Sequence, residues 1–211
     1  MKSATPENSE ISNMSDSQLW TELKKGSSDV LNVLFYKFYD DLYFYGTKLV
    51  NDNNLIIDTI QDVFLILWEN NKTLSDVKHI KAYLFKIFRN KLLKASQKNI
   101  SFFSIKDISK IPEKKFIISE EDVVIEQETR SQISKKIIIV LEELTDKQKE
   151  ILYLKFYCNL SNTDISQTLS INKQSVSNLL NRSINAFRKK LKHYDLLLLL
   201  TILIVINYLL I

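Results

Sequence analysis

Glycine and proline are nearly missing from this chain of 211 residues, which carries two of each. Hairpin turns lean on glycine and on Asn-Gly or Asp-Gly pairs, so a sheet-rich fold would have little to turn with. A single cysteine, Cys158, excludes a disulfide framework and a cysteine-built metal site. The start, Met1 to Ser15, is polar and carries acids. It lacks the apolar core of a signal peptide, so a reducing cytoplasm is the expected setting. Catalytic constellations are missing too. His79 and His193 have no evident partners in the sequence, and the carboxylates show no metal-ligand spacing. The expectation is a non-enzymatic protein that uses no metal and no cofactor.

What is present is helical periodicity. Hydrophobic residues make up 45% of the chain and charged residues 26%, a balance that supports packed cores rather than global disorder. The fold class read from this is all-α, with two small helical domains joined by a flexible linker and a hydrophobic helix at the C-terminal end. Ser15-Asp-Ser-Gln18 reads as a capping box opening a short helix, and Gly26 can end it in the left-handed conformation. Ser28 is expected to cap a second helix that presents Leu31, Leu34, Phe35, Phe38, Leu42 and Tyr45 on one face. A third helix runs from about Asn54 to Glu69. Ser75 is expected to cap a fourth, with Ile80, Tyr83, Leu84, Ile87, Phe88 and Leu92 inward.

These helices define a domain at 12–97. Periodicity fails over 98–120, around Pro112, which reads as a linker whose Phe102, Phe103, Phe116 and Ile117 are available to dock on a partner. A second helical unit covers 121–193, and within it Thr145-Asp-Lys-Gln148 is another capping box.

The stretch Ser161 to Arg182 outlines two short helices and a tight turn, with Ile165, Leu169, Ile171, Val176, Leu179 and Leu180 inward. Asn172 can cap the second helix. From Lys173 to Lys192 there are six Lys or Arg and no acid. A helix-turn-helix with a basic second helix is shaped to enter a major groove between two rows of phosphates. Lys173, Gln174, Ser177, Asn178, Asn181 and Arg182 are its outward residues. Asn and Gln can bond adenine edges bidentately, and Arg can do so for guanine. Arg188, Lys189, Lys190 and Lys192 suit phosphate, which positions without specifying.

Charge is segregated elsewhere as well. Asp29 to Glu69 holds seven acids against Lys37 and Lys48, and Lys72 to Lys98 holds eight Lys or Arg against Asp76. In the fourth helix Lys78, Lys81, Lys86, Arg89, Lys91 and Lys94 alternate with Tyr83, Phe85 and Phe88. Basic residues track a phosphate backbone, and exposed aromatics stack on unpaired bases. Tyr83 and Phe85 lie on different faces, so one of them is expected to be exposed, while Phe88 is expected in the core. Asp58, Gln61, Asp62 and Glu69 form a polar, acidic stripe opposite Phe64 and Trp68. Such a stripe faces water or meets a basic helix of a partner.

Asp58-Thr-Ile-Gln-Asp-Val-Phe-Leu-Ile-Leu-Trp68 resembles the region-two signature of bacterial sigma factors, and Ala82-Tyr-Leu-Phe-Lys-Ile-Phe-Arg-Asn90 resembles the family's next motif. Leu141 to Ile151 resembles the opening of region four, and Asp164 to Leu191 its helix-turn-helix. Order and spacing over residues 12–192 resemble the extracytoplasmic-function group of sigma-70-type factors. The resemblance implies a specificity subunit of RNA polymerase that directs promoter-specific initiation. Asp58, Gln61 and Asp62 would dock on the clamp helices of core RNA polymerase. Lys78, His79, Tyr83, Lys86 and Asn90, with the loop from Asn70, would capture the opened −10 element of promoter DNA. Lys173, Gln174, Ser177, Asn178, Asn181 and Arg182 would read the −35 element, and an anti-sigma factor would be a further partner. Departures are Ser170 where the family commonly has glycine, Asp164 and Ser166 in place of Glu and Ala, and the mild residues Ser177 and Asn181.

Residues 194–211 form a hydrophobic C-terminal segment in which Leu196 to Ile211 has only Thr201 and Asn207 polar. As a helix it would span about 24 Å, short of a hydrocarbon core of about 30 Å. Two readings stay open: membrane association through this segment, or packing against protein. Two other readings of the whole chain compete with the first. One is a stand-alone helix-turn-helix regulator, which would need no single-strand surface. The other is a tail-anchored adaptor that binds only protein.

Overall fold

The computed structural model describes residues 11, 14–98, 116–118 and 137–191. Every regular element among them is a helix, as the shortage of turn residues leads one to expect. These helices form two compact units, one built from those up to Lys98 and one from those beyond Phe116. Most of the expected linker, with Phe102 and Phe103, lies outside the described residues. So do the start of the second unit near Glu121 and the hydrophobic segment from Leu196. Among the described residues no helix is long and apolar enough to cross a membrane.

In the first unit, α1 spans Asp16–Lys24, α2 Ser28–Leu49, α3 Asn53–Glu69 and α4 Ile80–Lys98, with a short 3-10 turn at Asn71–Thr73. The Ser15 hydroxyl accepts from the Gln18 N–H, and the Gln18 side chain accepts from the Ser15 N–H at 2.9 Å, so the expected capping box is formed. Gly26, at φ +91°, ends α1 in the left-handed conformation. Its N–H reaches Leu23 O and the Ser27 N–H reaches Glu22 O, the paired bonds of a Schellman turn.

Two caps differ from expectation. Ser27, not Ser28, accepts from the Val30 N–H, which shifts the start of α2 by one residue. Ser75 caps nothing, because α4 begins only at Ile80. Its carbonyl instead accepts from Trp20 Nε1 at 2.9 Å.

The core of this unit lies where α2, α3 and α4 pack on one another. Leu34, Phe38, Leu42 and Tyr45 of α2 are buried against Ile56, Ile60, Val63 and Leu67 of α3 and against Leu84, Phe85 and Phe88 of α4. Tyr45 stacks on Phe85 at 5.2 Å between centroids. Full burial of each such side chain contributes on the order of 1.5–3 kcal/mol. Gly46 sits at the tightest point. A β-carbon there would lie 2.8 Å from Ile56 Cγ2 and 2.9 Å from Phe88 Cζ, so only glycine lets α2 approach both neighbours.

In the second unit residues 137–142 are helical. Thr145 and Gln148 form the second expected capping box and open α5, Asp146–Leu152. This helix runs into a π-helical turn at Tyr153–Tyr157, where the Cys158 N–H reaches back to Tyr153 O. Then follow α6, Asn162–Thr168, and α7, Lys173–Leu191. Helices α5 and α7 pack together, and Val140, Ile151, Leu154, Ile165, Val176 and Leu191 are buried. Phe116 was expected to be free for a partner. It is 2% exposed, with its ring edge-on to Tyr153 and its N–H on Asp146 Oδ1 at 2.9 Å. Ile117 stays exposed.

Candidate nucleic-acid interface

Local hydrogen bonds set the angle of the helix-turn-helix. Ser161 donates its N–H and its hydroxyl to Asp164 Oδ2, at 3.1 and 2.6 Å, and the Asp164 N–H returns to Ser161 Oγ. Aspartate thus completes the reciprocal cap that a glutamate usually provides. After α6 the chain reverses through the Ser170 N–H on Gln167 O and the Ile171 N–H on Ser166 O. Ser170 is left-handed, at φ +54°, the conformation that glycine adopts without strain. Asn159, which precedes α6, is left-handed too, and asparagine tolerates that better than serine. Asn172 Oδ1 then accepts from the Ser175 N–H at 2.7 Å and starts α7 as expected.

Lys173, Gln174, Asn178, Asn181 and Arg182 are exposed on α7. Gln174 Nε2 donates to Asn178 Oδ1 at 3.1 Å, so these two amides present one joined polar surface. Ser177, expected outward, is half-buried, and so is Leu179, expected inward. Both sit at the margin between faces. The opposite side holds Val176, Leu180, Ser183 and Phe187, all buried. Ser183 resolves its burial by donating to Leu179 O at 2.8 Å. Among the residues suited to phosphate, Lys190 forms an ion pair with Glu143, and Lys192 lies outside the described residues.

In the first unit the spacing of His79, Tyr83, Lys86 and Asn90 puts them on one side of α4 and its approach. His79, Lys86, Asn90 and the neighbouring Lys78 are exposed. Of the two aromatics, Phe85 is fully buried and Tyr83 half-buried. Tyr83 meets Trp20 edge-on at 5.2 Å, and burial pushes its hydroxyl above the ordinary value of 10.0. The basic run is divided by ion pairs. Lys81 reaches Asp41 at 2.7 Å and Lys91 reaches Asp62 at 3.3 Å, tying α4 to α2 and α3. Lys78, Lys86 and Lys94 remain exposed for a phosphate chain.

Asp58, Gln61 and Asp62 are exposed on α3. The stripe faces away from the buried Ile56, Ile60, Val63 and Leu67, but Trp68, expected opposite it, turns outward with 37% of its surface exposed. Gln61 and Asp62 form one wall of an open groove of about 500 Å³ between α2 and α3. Leu31, Asn32, Phe35, Phe64, Leu65 and Trp68 line the rest. Leu65 is 53% exposed, a large apolar residue facing water on a well-packed helix. Sequence reasoning missed Leu65 and the outward turn of Trp68. The signal was the spacing Gln61, Leu65, Trp68, which marks a second stripe beside the core stripe.

Comparison with known proteins matches both units. The family model described as Sigma-70 region 2 matches residues 34–99. The one described as Sigma-70, region 4 matches residues 135–186. The chain is 26% identical over 160 residues to the RNA polymerase sigma factor SigZ of Bacillus subtilis (strain 168), covering 75% of this chain and 83% of that protein. Among solved structures it resembles CnrH in complex with the cytosolic domain of CnrY. The TM-score is 0.57 at 14% identity, over 85% of this chain and 99% of that one. It also resembles the sigma factor RpoE in complex with the anti-sigma factor NepR from Bartonella quintana. There the TM-score is 0.50 at 16% identity, over 78% of this chain and 98% of the other. At these identities the two structures speak for the fold.

Proposed function

This chain belongs to the sigma-70-type RNA polymerase sigma factors, in the extracytoplasmic-function group, and on that premise we propose how its surfaces divide the work. It directs promoter-specific initiation by binding core polymerase and recognising the −10 and −35 elements. Sigma-70 factors are not an enzyme family, and phosphodiester chemistry stays with the polymerase. The work belongs where polymerase is, in the cytoplasm.

Residues 12–97 would form the polymerase- and −10-binding domain. The groove between α2 and α3 accepts an apolar ridge of the polymerase clamp, while Gln61 and Asp62 on its rim, with Asp58 one turn back on α3, meet basic groups and set orientation. The stripe of Lys78, His79, Tyr83, Lys86 and Asn90 holds the unpaired −10 strand, with lysines on phosphate and Tyr83 against a base. Residues 121–193 would form the duplex-reading domain. Gln174, Asn178, Asn181 and Arg182 face base edges of the −35 element, and Lys173 lies at the backbone. Residues 98–120 would join the two.

The observation that carries this reading is the outward stripe on α4 in a chain that also has a duplex-reading helix. A stand-alone duplex binder has no use for a basic and aromatic single-strand surface. The structures of CnrH and RpoE each contain a bound protein, and an anti-sigma factor is the corresponding regulator proposed here.

In vitro transcription with purified bacterial core polymerase tests the proposal. Added protein is expected to give discrete run-off products from a subset of promoter fragments. Replacing Lys86 and Asn90 together with alanine is expected to abolish those products while core binding persists. If no template is transcribed above the level of core alone, the proposal fails.

A further inference from the structure

The α1 helix carries none of the residues assigned above to polymerase or DNA. It packs on α2, with Lys37 on Asp16 at 3.1 Å, and its remaining contacts reach the single-strand surface. Trp20 is buried. Its Nε1 donates to Ser75 O at 2.9 Å, and its ring meets Tyr83 edge-on. One turn further, Lys24 Nζ lies 2.6 Å from Asp76 Oδ1. Leu74 is buried beside these tethers, whereas Ser75, Asp76, Lys78 and His79 are exposed. The segment between the 3-10 turn and α4 has no regular hydrogen-bonding pattern of its own. Such a segment wanders unless other elements hold it, and each ordered residue costs on the order of 1–2 kcal/mol of backbone entropy.

We propose that α1, through Trp20 and Lys24, is the positioning element of the −10-reading surface. It holds the 74–79 segment and the Tyr83 ring in register before DNA arrives.

The inference rests on the single-strand role assigned to α4. One indole serves both halves of that surface, with its N–H on the loop backbone and its ring edge on Tyr83. The outer tether is ionic. The hydrogen bond and charge of Lys24 hold the Asp76 carboxyl below the ordinary carboxylate value of 3.8, but Asp76 is 93% exposed, so this pair is a weak tether beside the Trp20 hydrogen bond. Preorganisation of this kind lowers the ordering cost of binding without adding a contact to the ligand. Neither Trp20 nor Lys24 touches the groove on α2 and α3, so polymerase binding is not expected to depend on them.

The test is enrichment from a single-stranded DNA library randomised over six positions, selected on reconstituted holoenzyme and sequenced. Wild type is expected to enrich a defined motif. Trp20→Phe combined with Lys24→Gln, which keeps a ring in the core and removes both tethers, is expected to lower that enrichment by about tenfold, the scale of one or two lost hydrogen bonds. Trp20→Phe with Lys24→Arg is expected to recover part of the loss, because the ion pair survives. Core-polymerase affinity, measured on the same samples, is expected to stay near wild type, while the thermal midpoint falls modestly because the smaller ring fills less of the core. Equal enrichment by variant and wild type overturns the positioning role. Loss of core binding together with a large drop in midpoint overturns it too, since α1 would then be merely structural. If wild-type holoenzyme enriches no motif, the single-strand reading of α4 itself falls and takes this inference with it.

Discussion

Asp62 Oδ2 lies 3.3 Å from Lys91 Nζ, so a carboxylate on the rim of the groove is also an ionic link between α3 and α4. The pair is largely solvated and contributes little to stability, in the range of about 0–1 kcal/mol. Its consequence is electrostatic. Lys91 partly neutralises a rim that is otherwise acidic, and it lowers the field that would steer a basic partner.

Lys91→Gln is therefore expected to leave the urea midpoint nearly unchanged and to raise the association rate with core polymerase at low salt. Asp62→Asn is expected to lower that rate and flatten its salt dependence. Stopped-flow fluorescence at several ionic strengths measures both. Identical rates for the two variants would show that the rim does not meet a basic surface.

Trp68 and Leu65 give a sharper test of the groove. Leu65 is 53% and Trp68 37% exposed, so truncating Leu65 sacrifices little internal packing and truncating Trp68 somewhat more. Trp68→Ala is expected to weaken core binding by at least about 2 kcal/mol, as an aromatic anchor in a groove does. Its cost to folding is expected to be about 1–2 kcal/mol, since the covered part of the ring is lost too, and Leu65→Ala is expected to cost less. Competition against a labelled sigma factor, with thermal unfolding in parallel, separates the two effects. A variant that unfolds early yet binds core normally would place Trp68 in the fold rather than at the interface.

Gly46→Ala is expected to destabilise the first unit by about 1–3 kcal/mol, the usual cost of overpacking. The added methyl would press on Ile56 and Phe88, and neither is the loose end of a flexible chain. Pairing it with Ile56→Ala removes both crowding carbons of that side chain, Cγ1 and Cγ2, so the double variant should lose less than the two single losses added together. Urea unfolding followed by circular dichroism provides the measurement, and an unchanged midpoint would mean the three helices can part at little cost.

At the helix-turn-helix, Ser170→Gly is expected to stabilise the second unit by up to about 1 kcal/mol, through relief of left-handed strain. Asn159→Gly should gain less, since asparagine adopts that conformation more readily. Differential scanning calorimetry of the two variants ranks them. The reverse order would mean that Ser170 is held by something other than its backbone preference.

Much of this architecture was legible because it is local. The capping boxes at Ser15 and Thr145 act over three residues and are formed as read. The left-handed Gly26 and the Asn172 cap are likewise one-turn events. Ser28 and Ser75 failed as caps for a related reason. Two adjacent serines precede α2, and Ser75 stands five residues before α4, so which serine bonds, or whether any does, depends on where the neighbouring helix directs the chain. Tyr83 and Phe85 show the same limit. Sequence separated their faces, but Tyr45 and Trp20, distant along the chain, decided which ring became core.

The all-helical class, the order of the motifs and the polar face of α7 follow from residue types and a 3.6-residue period, which any solvent-exposed helix must obey. Tertiary packing decided other matters. It turned Trp68 outward to build a groove, buried Phe116 on its own unit, divided the basic run of α4 between ion pairs and open surface, and set Trp20 beneath both Ser75 and Tyr83. Those outcomes depend on which distant side chains compete for the same space and charge, and spacing along one helix carries no record of that competition.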